Sequence, residues 1–445
     1  MTEPRRNPLK ISITTLGCKV NQCESESLYA GLERICSVER SESVSADICV
    51  INTCTVTQKA SMQSRQAVRK AIRDNPMAII VVTGCYAQSE PGTLEKIKGI
   101  DYILGNTDKH AISRLFAPPT RMQKLSVPQI ICGDIRKMRQ IAPITLPVAG
   151  NRTRPFIRIQ DGCDNFCAYC IVPYTRGPSR SLPPDEVLNI IQNPPAANAK
   201  EIVLTGIHLG RYGQDLTPPT SLLGLLAALK NAKIGQRIRL SSLEPLEISD
   251  ALIKFTADSI MICRHFHVPL QSGDVNILKR MNRTYTPAIF AETIHSIHQA
   301  IPEAAIGADI MVGFPGETEA AFKNTFELLK NLPVTYLHVF PFSSRPGTKA
   351  VEFSDPVDPQ TIKKRRNQLL LLGREKKSAF YSRMIGKTIG VLIEEKREAR
   401  TGLLTGLTSN YMRVVVDGDD RLKNRIIPCR ITGVLNKDAM TGAPA

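Results

Sequence analysis

The feature that most constrains this chain is a group of three cysteines in one short segment, Cys163, Cys167 and Cys170, with the spacing CxxxCxxC. The segment follows a strand-like run, FIRIQDG, which places this loop triplet at the end of a strand. Zinc normally takes four protein ligands, often from CxxC pairs, and no fourth cysteine lies nearby in the sequence. Three thiolates leave one iron of a [4Fe–4S] cluster free to bind an exchangeable molecule. The spacing therefore predicts an iron–sulfur site.

Two long stretches alternate strand-like and helix-like segments, at residues 11 to about 117 and 156 to about 350. The first predicts an open parallel sheet, and the second predicts an incomplete (β/α)6 barrel, open along one side. Residues 361–385 resemble one long basic helix. Residues 386 to about 440 contain short strands between Gly and Asp turns, which is typical of a small antiparallel barrel. We therefore predict a multidomain α/β protein.

A second group of cysteines follows three successive strand-like runs near the amino terminus. Cys18 ends the first run in LGCKVN, Cys54 the second in INTCTVT, and Cys85 the third in VTGCYAQ. The carboxyl ends of parallel strands meet at one edge of a sheet, where ligands bind. We therefore predict that this strand-end triplet forms a site of its own. The remaining cysteines of the region are interpreted as structural: Cys23, Cys36, Cys49 and Cys132.

The chain is strongly basic, with 58 Lys and Arg against 41 Asp and Glu. The surplus favours a polyanionic partner such as a nucleic acid, although the 5% aromatic content argues against binding mainly by base stacking. Residues 119–160 carry eight basic residues and one acid, which fits either a solvated linker or a strip along a phosphate backbone. No apolar run approaches about 18 residues, and no signal-peptide core is present, so we expect a cytoplasmic protein without a membrane span.

Short stretches along nearly the whole chain resemble the radical S-adenosylmethionine (SAM) methylthiotransferase family. The stretches are LGCKVNQ, NTCTVT, TGCYAQ, DGCDNFCAYCIVPYTRGPSRS, LTGIHLGRYG, SSLEP, HVPLQSGD, DIMVGFPGET and FPFSSRPGT. The resemblance implies an N-terminal methylthiotransferase domain, a central radical SAM barrel and a C-terminal TRAM barrel that binds RNA. We predict the first domain at 8–118, a basic linker at 119–150, the radical SAM core at 151–376 and the TRAM domain at 377–445.

The resemblance also implies the cofactors, which are SAM and two [4Fe–4S] clusters. The cluster of the loop triplet would bind SAM and cleave it with one electron to methionine and a 5′-deoxyadenosyl radical. The strand-end triplet would hold the auxiliary cluster, whose open iron can carry a sulfide. In the family one SAM methylates that sulfur and another makes the radical, so that –SCH3 replaces –H.

Several residues are candidates for contacting SAM, with ordinary loop structure as the alternative. Gly206 in LTGI matches the place where the superfamily contacts the SAM amino group. The other candidates are Tyr169 within the loop triplet, Ser242 and Glu244 in SSLEP, and Gln271 in PLQSGD. His265 and His267 share one face of a strand, and we interpret them as core or mouth histidines rather than metal ligands.

Three branches of the family differ in substrate: isopentenylated adenosine 37 of tRNA, N6-threonylcarbamoyladenosine (t6A) 37 of tRNA, and an aspartate of a ribosomal protein. LGCKVN, CAYC and LTGIHLGRYG most resemble the t6A branch, and Lys19 and Val20 depart from the GCQMN form typical of the first branch. The carboxylate of t6A needs a paired cation when buried. Arg176 in YTRG and Arg345 in SSRPGT are the predicted substrate-binding residues.

The predicted partners also come from this resemblance. They are the anticodon loop of a tRNA, whose bases can be splayed out of the stack, and an electron donor such as a flavodoxin-type reductase. We expect a monomer. The alternatives are an enzyme of one of the other two branches and, in a different class, a non-catalytic metal-containing protein that docks RNA.

Overall fold

The computed structural model describes residues 9–34, 38–40, 45–115, 123–142 and 152–445 of the chain. Cys36 and parts of the predicted linker lie outside these residues. None of the described helices has the length and apolar character needed to cross a membrane.

The N-terminal region forms the predicted open parallel sheet. Its strands are β1 (Leu9–Thr15), β2 (Val38–Arg40), β3 (Ile48–Thr53), β4 (Ile79–Gly84), β5 (Tyr102–Leu104) and β6 (Gln129–Ile131), and its helices are α1 (Lys19–Glu33), α2 (Gln58–Asp74), α3 (Cys85–Ser89), α4 (Pro91–Glu95) and α5 (Ala111–Leu115). The strand order is β2-β1-β3-β4-β5-β6. Strand β3 is apolar along most of its length because alternate residues, such as Val50 and Ile51, enter separate cores on the two faces. Strand β6 lies within the segment predicted as a linker and pairs with β5.

The central region forms the predicted incomplete barrel of six parallel strands, which are hydrogen-bonded in two sheets of three, with helices on the outside. Its strands are β7 (Phe156–Arg158), β10 (Glu201–Thr205), β11 (Arg237–Leu240), β12 (His265–Gln271), β13 (Ala305–Val312) and β14 (Tyr336–Pro341), while β8 (Gln160–Asp161) and β9 (Arg180–Ser181) pair separately. The helices are α6 (Val172–Arg176), α7 (Pro184–Gln192), α8 (Leu222–Asn231), α9 (Asp250–Asp258), α10 (Val275–Arg280), α11 (Pro287–Ala300) and α12 (Glu319–Asn331). Phe266 and Val268 belong to the apolar core under the helices, so the alternate residue His267 faces the barrel interior.

The C-terminal region forms the predicted small barrel. It begins with α13 (Pro359–Ser382), which runs through the boundary predicted at 376–377. The strands β15 (Thr388–Arg397), β16 (Leu404–Thr408), β17 (Arg413–Val416), β18 (Ile426–Asn436) and β19 (Ala439–Pro444) close in the order β15-β16-β17-β19-β18. The pairings are antiparallel except for the parallel pair β17–β19.

The small barrel closes one end of the larger barrel. The Arg239 guanidinium donates hydrogen bonds to the carbonyls of Thr408 (2.9 Å) and Ser409 (3.0 Å). The Tyr411 ring stacks on His265 with 4.4 Å between ring centroids. Because His265 begins β12, the closed end is the one where the barrel strands start. We call the opposite end, where the strands finish, the barrel mouth. The N-terminal region lies at this end.

A buried ion-pair network joins the N-terminal region to the barrel. Glu24 of α1 pairs with Arg176 at 3.0 Å and with Arg158 at 2.9 Å. Its second oxygen lies 2.5 Å from the Lys109 Nζ. Asp161 pairs with the same two arginines at 2.9 and 3.1 Å. Because a buried charge is costly unless it is paired, the network fixes the N-terminal region against the barrel.

Removal of Glu24 should destabilise the protein far more than removal of an exposed acid. Glu24→Ala removes the ion-pair partner of the buried Lys109 and leaves Arg176 and Arg158 with Asp161 alone, so we expect the free energy of unfolding to fall by about 3–5 kcal/mol. Asp134→Ala is the matched control, because the Asp134–Arg136 pair is solvent-exposed and should change stability little. Urea unfolding followed by circular dichroism measures both variants.

The same variant has a defined pH dependence. Burial raises the pKa of Glu24, but the charges of Arg176, Lys109 and Arg158 outweigh burial and hold it well below its usual range. Glu24 therefore stabilises the fold above the ordinary carboxyl pKa of about 4.3, and this contribution is lost as the pH falls through the lowered value. An equal deficit of Glu24→Ala at neutral pH and in strong acid would contradict the assignment.

Candidate active site between two cysteine triplets

The strand-end triplet meets at one edge of the N-terminal sheet. Cys18 is the N-cap of α1, Cys54 directly follows β3, and Cys85 is the first residue of α3. Gly17 allows this meeting, since a Cβ on it would lie 2.8 Å from the Cys54 Sγ and its φ is +94°, a conformation that glycine adopts without strain. The structure thus brings together the three thiols that the sequence analysis grouped.

The surroundings of the strand-end triplet fit a bound anionic metal cluster. Burial and the neighbouring thiols of Cys85 and Cys18 raise the pKa of Cys54 to about 11. The positive charge of Arg176 also acts on Cys85 and Cys18. Helix α1 begins without a side-chain cap, which leaves its first backbone N–H groups and its positive dipole end at the thiols. Cations and free N–H groups stabilise thiolate ligands.

The loop triplet lies at the barrel mouth, between β8 and α6. Its turn is closed by a hydrogen bond from the Cys170 N–H to the Cys167 carbonyl (2.9 Å). Ala168 ties the loop to the barrel, because its N–H donates to the Met281 carbonyl (2.9 Å) and its carbonyl accepts from the Ala350 N–H (2.7 Å). Burial and the nearby Cys167 thiol raise the pKa of Cys170 to about 12. The short loop that carries Cys163, Cys167 and Cys170 is therefore held by the barrel, as a cluster site requires.

The loop triplet is in contact with polar side chains that were not identified from the sequence. His208 Nδ1 lies 3.5 Å from the Cys163 Sγ, and its Nε2 lies 2.5 Å from the Glu247 carboxylate. Arg283 donates a hydrogen bond to the Cys167 Sγ at 3.2 Å. His208 belongs to the LTGIHLGRYG stretch, so that stretch could have indicated it. Arg283 lies in the loop between α10 and α11, where the sequence carries no comparable signal.

A polar cavity of about 370 Å³ adjoins the loop triplet. Glu244, one of the predicted SAM contacts, lines it together with His208, Arg283 and Tyr285. Glu244 and Arg283 form an ion pair there, although burial still raises the pKa of the Glu244 carboxyl. A cavity of this size with a few convergent charged groups can hold a small charged ligand.

Three further predicted SAM contacts lie around the barrel. The Ser242 Oγ lies 2.6 Å from the His267 Nδ1, on the interior side. Gln271 ends β12 with a φ of +64°, and its buried Oε1 has no hydrogen-bond partner within the described part of the chain. Tyr169 packs edge-on against Phe314. The unpartnered amide oxygen of Gln271 fits a site that a ligand completes.

The two arginines predicted to bind substrate have other partners. Arg176 is 2% exposed, and besides the buried network it donates to the Asn21 side chain at 2.5 Å. Arg345 donates to the Thr55 hydroxyl at 2.5 Å and to the Glu90 carboxylate at 3.0 Å. Both arginines therefore join the N-terminal region to the barrel, although the buried Arg345 Nε has no hydrogen-bond partner among the described residues. The Arg176 guanidinium is taken up by the buried network, which corrects the expectation that it binds substrate. The substrate role of Arg345 stays a prediction.

A short helix connects the two triplets. Helix α6 begins at Val172, two residues after the last cysteine of the loop triplet, and is only about 8 Å long at 1.5 Å per residue. Near its other end, the Thr175 carbonyl accepts a hydrogen bond from the Asn106 side chain at 2.8 Å. The same Asn106 amide nitrogen lies 3.6 Å from the Cys85 Sγ. The two groups of thiols thus belong to one continuous site.

Comparison with known proteins agrees with this arrangement. Residues 10–105 match the uncharacterized protein family UPF0004, and residues 157–329 match the Radical SAM superfamily. A threonylcarbamoyladenosine tRNA methylthiotransferase of Bacillus subtilis is 38% identical over 95% of this chain and 93% of its own length. A protein of the same name from Aquifex aeolicus is 36% identical over 92% of this chain and 97% of its own length. This chain belongs to the radical SAM methylthiotransferase family.

The family also includes relatives with other names and shares its fold more widely. A tRNA-2-methylthio-N(6)-dimethylallyladenosine synthase of Pelotomaculum thermopropionicum is 35% identical over 95% of both chains. The radical SAM methyltransferase TsrM of Kitasatospora setae superimposes with a TM-score of 0.53 over 77% of both chains at 14% identity, which shows a common fold. Proteins of the methylthiotransferase family use SAM and two [4Fe–4S] clusters. The described residues offer two groups of three thiols for them.

Gly206 is the residue directly after β10, close to the segment that leads into the loop triplet. A Cβ at this position would lie 2.8 Å from the Gln160 Oε1. Gln160 donates to the carbonyls of Asp161 (3.1 Å) and Gly162 (2.8 Å) and accepts from the His208 N–H (2.7 Å). It therefore holds both the chain entering the loop triplet and the histidine beside it.

Gly206→Ala should consequently impair SAM cleavage. The added methyl group displaces Gln160 and with it the loop entrance and the histidine that it holds. Because a misplacement of about 1 Å can cost about 100-fold in rate, we expect 5′-deoxyadenosine formation to fall about 10- to 100-fold. Gly92→Ala is the control, because a Cβ there meets no atom within 4 Å. Chromatographic measurement of 5′-deoxyadenosine at equal iron content tests the prediction, and parental activity of Gly206→Ala would contradict it.

Proposed function

We propose that this chain is a tRNA methylthiotransferase that converts t6A at position 37 to its 2-methylthio derivative. The observation that carries the proposal is the position of two thiol groups at the ends of one short helix, in a chain whose relatives at 36–38% identity are named threonylcarbamoyladenosine tRNA methylthiotransferases. Replacement of an unactivated C–H hydrogen by a methylthio group needs a radical source and a sulfur source close together. The two triplets provide a place for each.

We assign a separate task to each triplet. The loop triplet, next to the polar cavity, is proposed to hold the cluster that meets SAM, and the strand-end triplet the cluster that carries sulfur. When bound, the clusters and SAM supply the electron, the radical, the sulfur and the methyl group. The paired charges of Glu244 and Arg283 in the cavity suit the amino and carboxylate groups of SAM. His208 and Gln160 fix the position of the loop triplet relative to the cavity wall.

A tRNA partner agrees with the charge of the chain, which is +17. We propose that residues 377–445 bind the RNA through its phosphates, with 8–118 carrying the strand-end triplet and 151–376 the radical chemistry. The small barrel exposes several basic side chains suited to phosphates: Lys396, Arg400, Arg425 and Arg430. A flavodoxin-type electron donor, a cytoplasmic location and a monomeric state complete the proposal.

The second candidate is methylthiolation of isopentenylated adenosine 37. It is supported by the 35% identical relative named for dimethylallyladenosine. The LGCKVN stretch, with Lys19 and Val20, favours the t6A assignment. The two substrates differ in their N6 group, which carries a carboxylate in one and is apolar in the other, so a direct assay separates them.

In the substrate assay, purified enzyme with both clusters receives SAM, a reductant and two tRNAs, one with each N6 group. We expect 2-methylthio product from the t6A tRNA only, as measured by nucleoside mass spectrometry. Product from the isopentenylated tRNA alone would replace the substrate assignment. A chain that purifies with zinc or no metal and binds tRNA without forming product would indicate a non-catalytic RNA-binding protein.

The two triplets should be separable by mutation. Cys163→Ala should abolish both 5′-deoxyadenosine and methylthio product, because it removes a ligand at the SAM site. Cys18→Ala should retain SAM cleavage and stop product formation, because it removes a ligand at the sulfur site. Cys132→Ala, which lies outside both triplets, is the control and should keep both activities. Full product formation by Cys18→Ala would refute the division of labour.

A further inference from the structure

Two histidines and an aspartate meet inside the larger barrel, outside both cysteine triplets. His267, Asp309 and His338 lie on the neighbouring strands β12, β13 and β14. Asp309 and His338 occupy paired positions of β13 and β14. The residues that alternate with them along each strand, such as Val268 and Val339, belong to the apolar core under the helices. All three side chains therefore face the barrel interior.

The possible ligand atoms of these residues lie at separations that suit one metal ion. The Asp309 carboxylate oxygen Oδ1 lies 2.9 Å from the His267 Nε2 and 3.2 Å from the His338 Nδ1. The ligand atoms of all three residues lie within 4.8 Å of one another. Two nitrogen or oxygen ligands that are each about 2.1 Å from a metal ion, at an angle of about 90–110°, are about 3.0–3.4 Å apart. One ion can therefore contact all three residues with only small movements of the side chains.

The contact between His267 and Asp309 is not an ordinary hydrogen bond. The His267 Nε2 is buried and has no hydrogen-bond partner among the described residues, although the Asp309 oxygen is only 2.9 Å away. The oxygen therefore lies off the direction in which this nitrogen forms a hydrogen bond. Two ligands of the same metal ion are arranged in this way, because each ligand atom points at the ion and not at its neighbour. The geometry thus favours a shared ion.

A hydroxyl group fixes the orientation of the His267 ring. The Ser242 Oγ lies 2.6 Å from the His267 Nδ1. Histidines that bind metals usually donate the hydrogen of their other ring nitrogen to such a partner, which leaves the ligating nitrogen with a free lone pair. When Nδ1 donates to Ser242, the Nε2 lone pair and the Asp309 carboxylate oxygen face the same space. A cation in that space is attracted to both atoms.

The group of three residues is accessible on the side of His338. The His338 side chain is 55% exposed. Together with Tyr336 and Tyr411 it lines a cavity of about 570 Å³ between the two barrels. An ion from solution can therefore reach the three side chains through this cavity. Three protein ligands leave at least one coordination position for water or for an oxygen atom of a bound molecule, as in catalytic zinc sites.

We propose that His267, Asp309 and His338 bind one divalent transition-metal ion, of which zinc is the representative, in addition to the two clusters. Imidazole nitrogens combined with a carboxylate are a common ligand set for zinc and related divalent metals. The proposal replaces the sequence-based interpretation of His267 as a core or mouth histidine. The three ligands lie on three separate strands, so no local motif in the sequence marks the site.

The test measures zinc binding by the full chain with both clusters, prepared anaerobically without a histidine tag and passed over a chelating resin. Equilibrium dialysis should show one zinc ion per chain, and the zinc X-ray absorption spectrum should show only nitrogen and oxygen ligands at about 2.0–2.1 Å. Ser242→Ala removes the partner of a ligand and should weaken zinc binding about 10- to 100-fold. Asp309→Asn and His338→Ala each remove a ligand and should weaken it further. His295→Ala, which removes an exposed histidine of α11, should match the parent.

Three results would overturn the metal site. A parent chain that binds no zinc would mean that Asp309 is only hydrogen-bonded to the histidines. Zinc with sulfur ligands at about 2.3 Å would lie at the cysteines instead. Unchanged zinc affinity in His338→Ala would place the ion elsewhere, and this variant decides even where Asp309→Asn does not fold, because the His338 side chain is more than half exposed. Zinc binding is measured without substrate, so the result does not depend on the proposed function.

Discussion

Glu24 and Asp161 hold cations from several parts of the chain inside the interface between the N-terminal region and the barrel. Because unpaired buried charges are costly, this network admits one relative position of the two regions. Arg176 belongs to it and also lies near the thiols of Cys85 and Cys18. The network therefore orients the domains and shapes the electrostatics of the strand-end triplet through the same side chain. The network has four cations, Arg158, Arg176, Arg180 and Lys109, against two acids. An anionic cluster at the adjacent thiols would offset that excess.

Helix α6 connects this ion-pair network to the loop triplet. It follows the loop triplet directly and ends at Arg176, so the segment that ends the cluster loop also inserts into the domain interface. Asn106 adds a contact from the N-terminal side, between Cys85 and the Thr175 carbonyl. The spacing between the two sites is consequently set by a few backbone residues and one amide. A reaction that needs two reagents at one carbon atom depends on such a fixed spacing.

The polar interior of the barrel is balanced by ion pairs between its own residues and those of the small barrel. Arginines near the closed end are paired with Glu201 and Glu394, and Asp309 is held between two histidines.

The sequence by itself determined the three-part architecture and both cysteine triplets, because these depend on local patterns: the alternation of strands and helices, the CxxxCxxC spacing, and the rule that parallel strands end at one edge. It also singled out Gly206 and Glu244. Only the tertiary structure decided that Arg176 and Arg345 are interface residues and that Arg283 and His208 contact the loop triplet. Partners of a charged side chain come from distant segments, such as Glu24 and Arg176, which are 152 positions apart. No local pattern encodes which of many basic residues will find an acid and which will be left for a ligand.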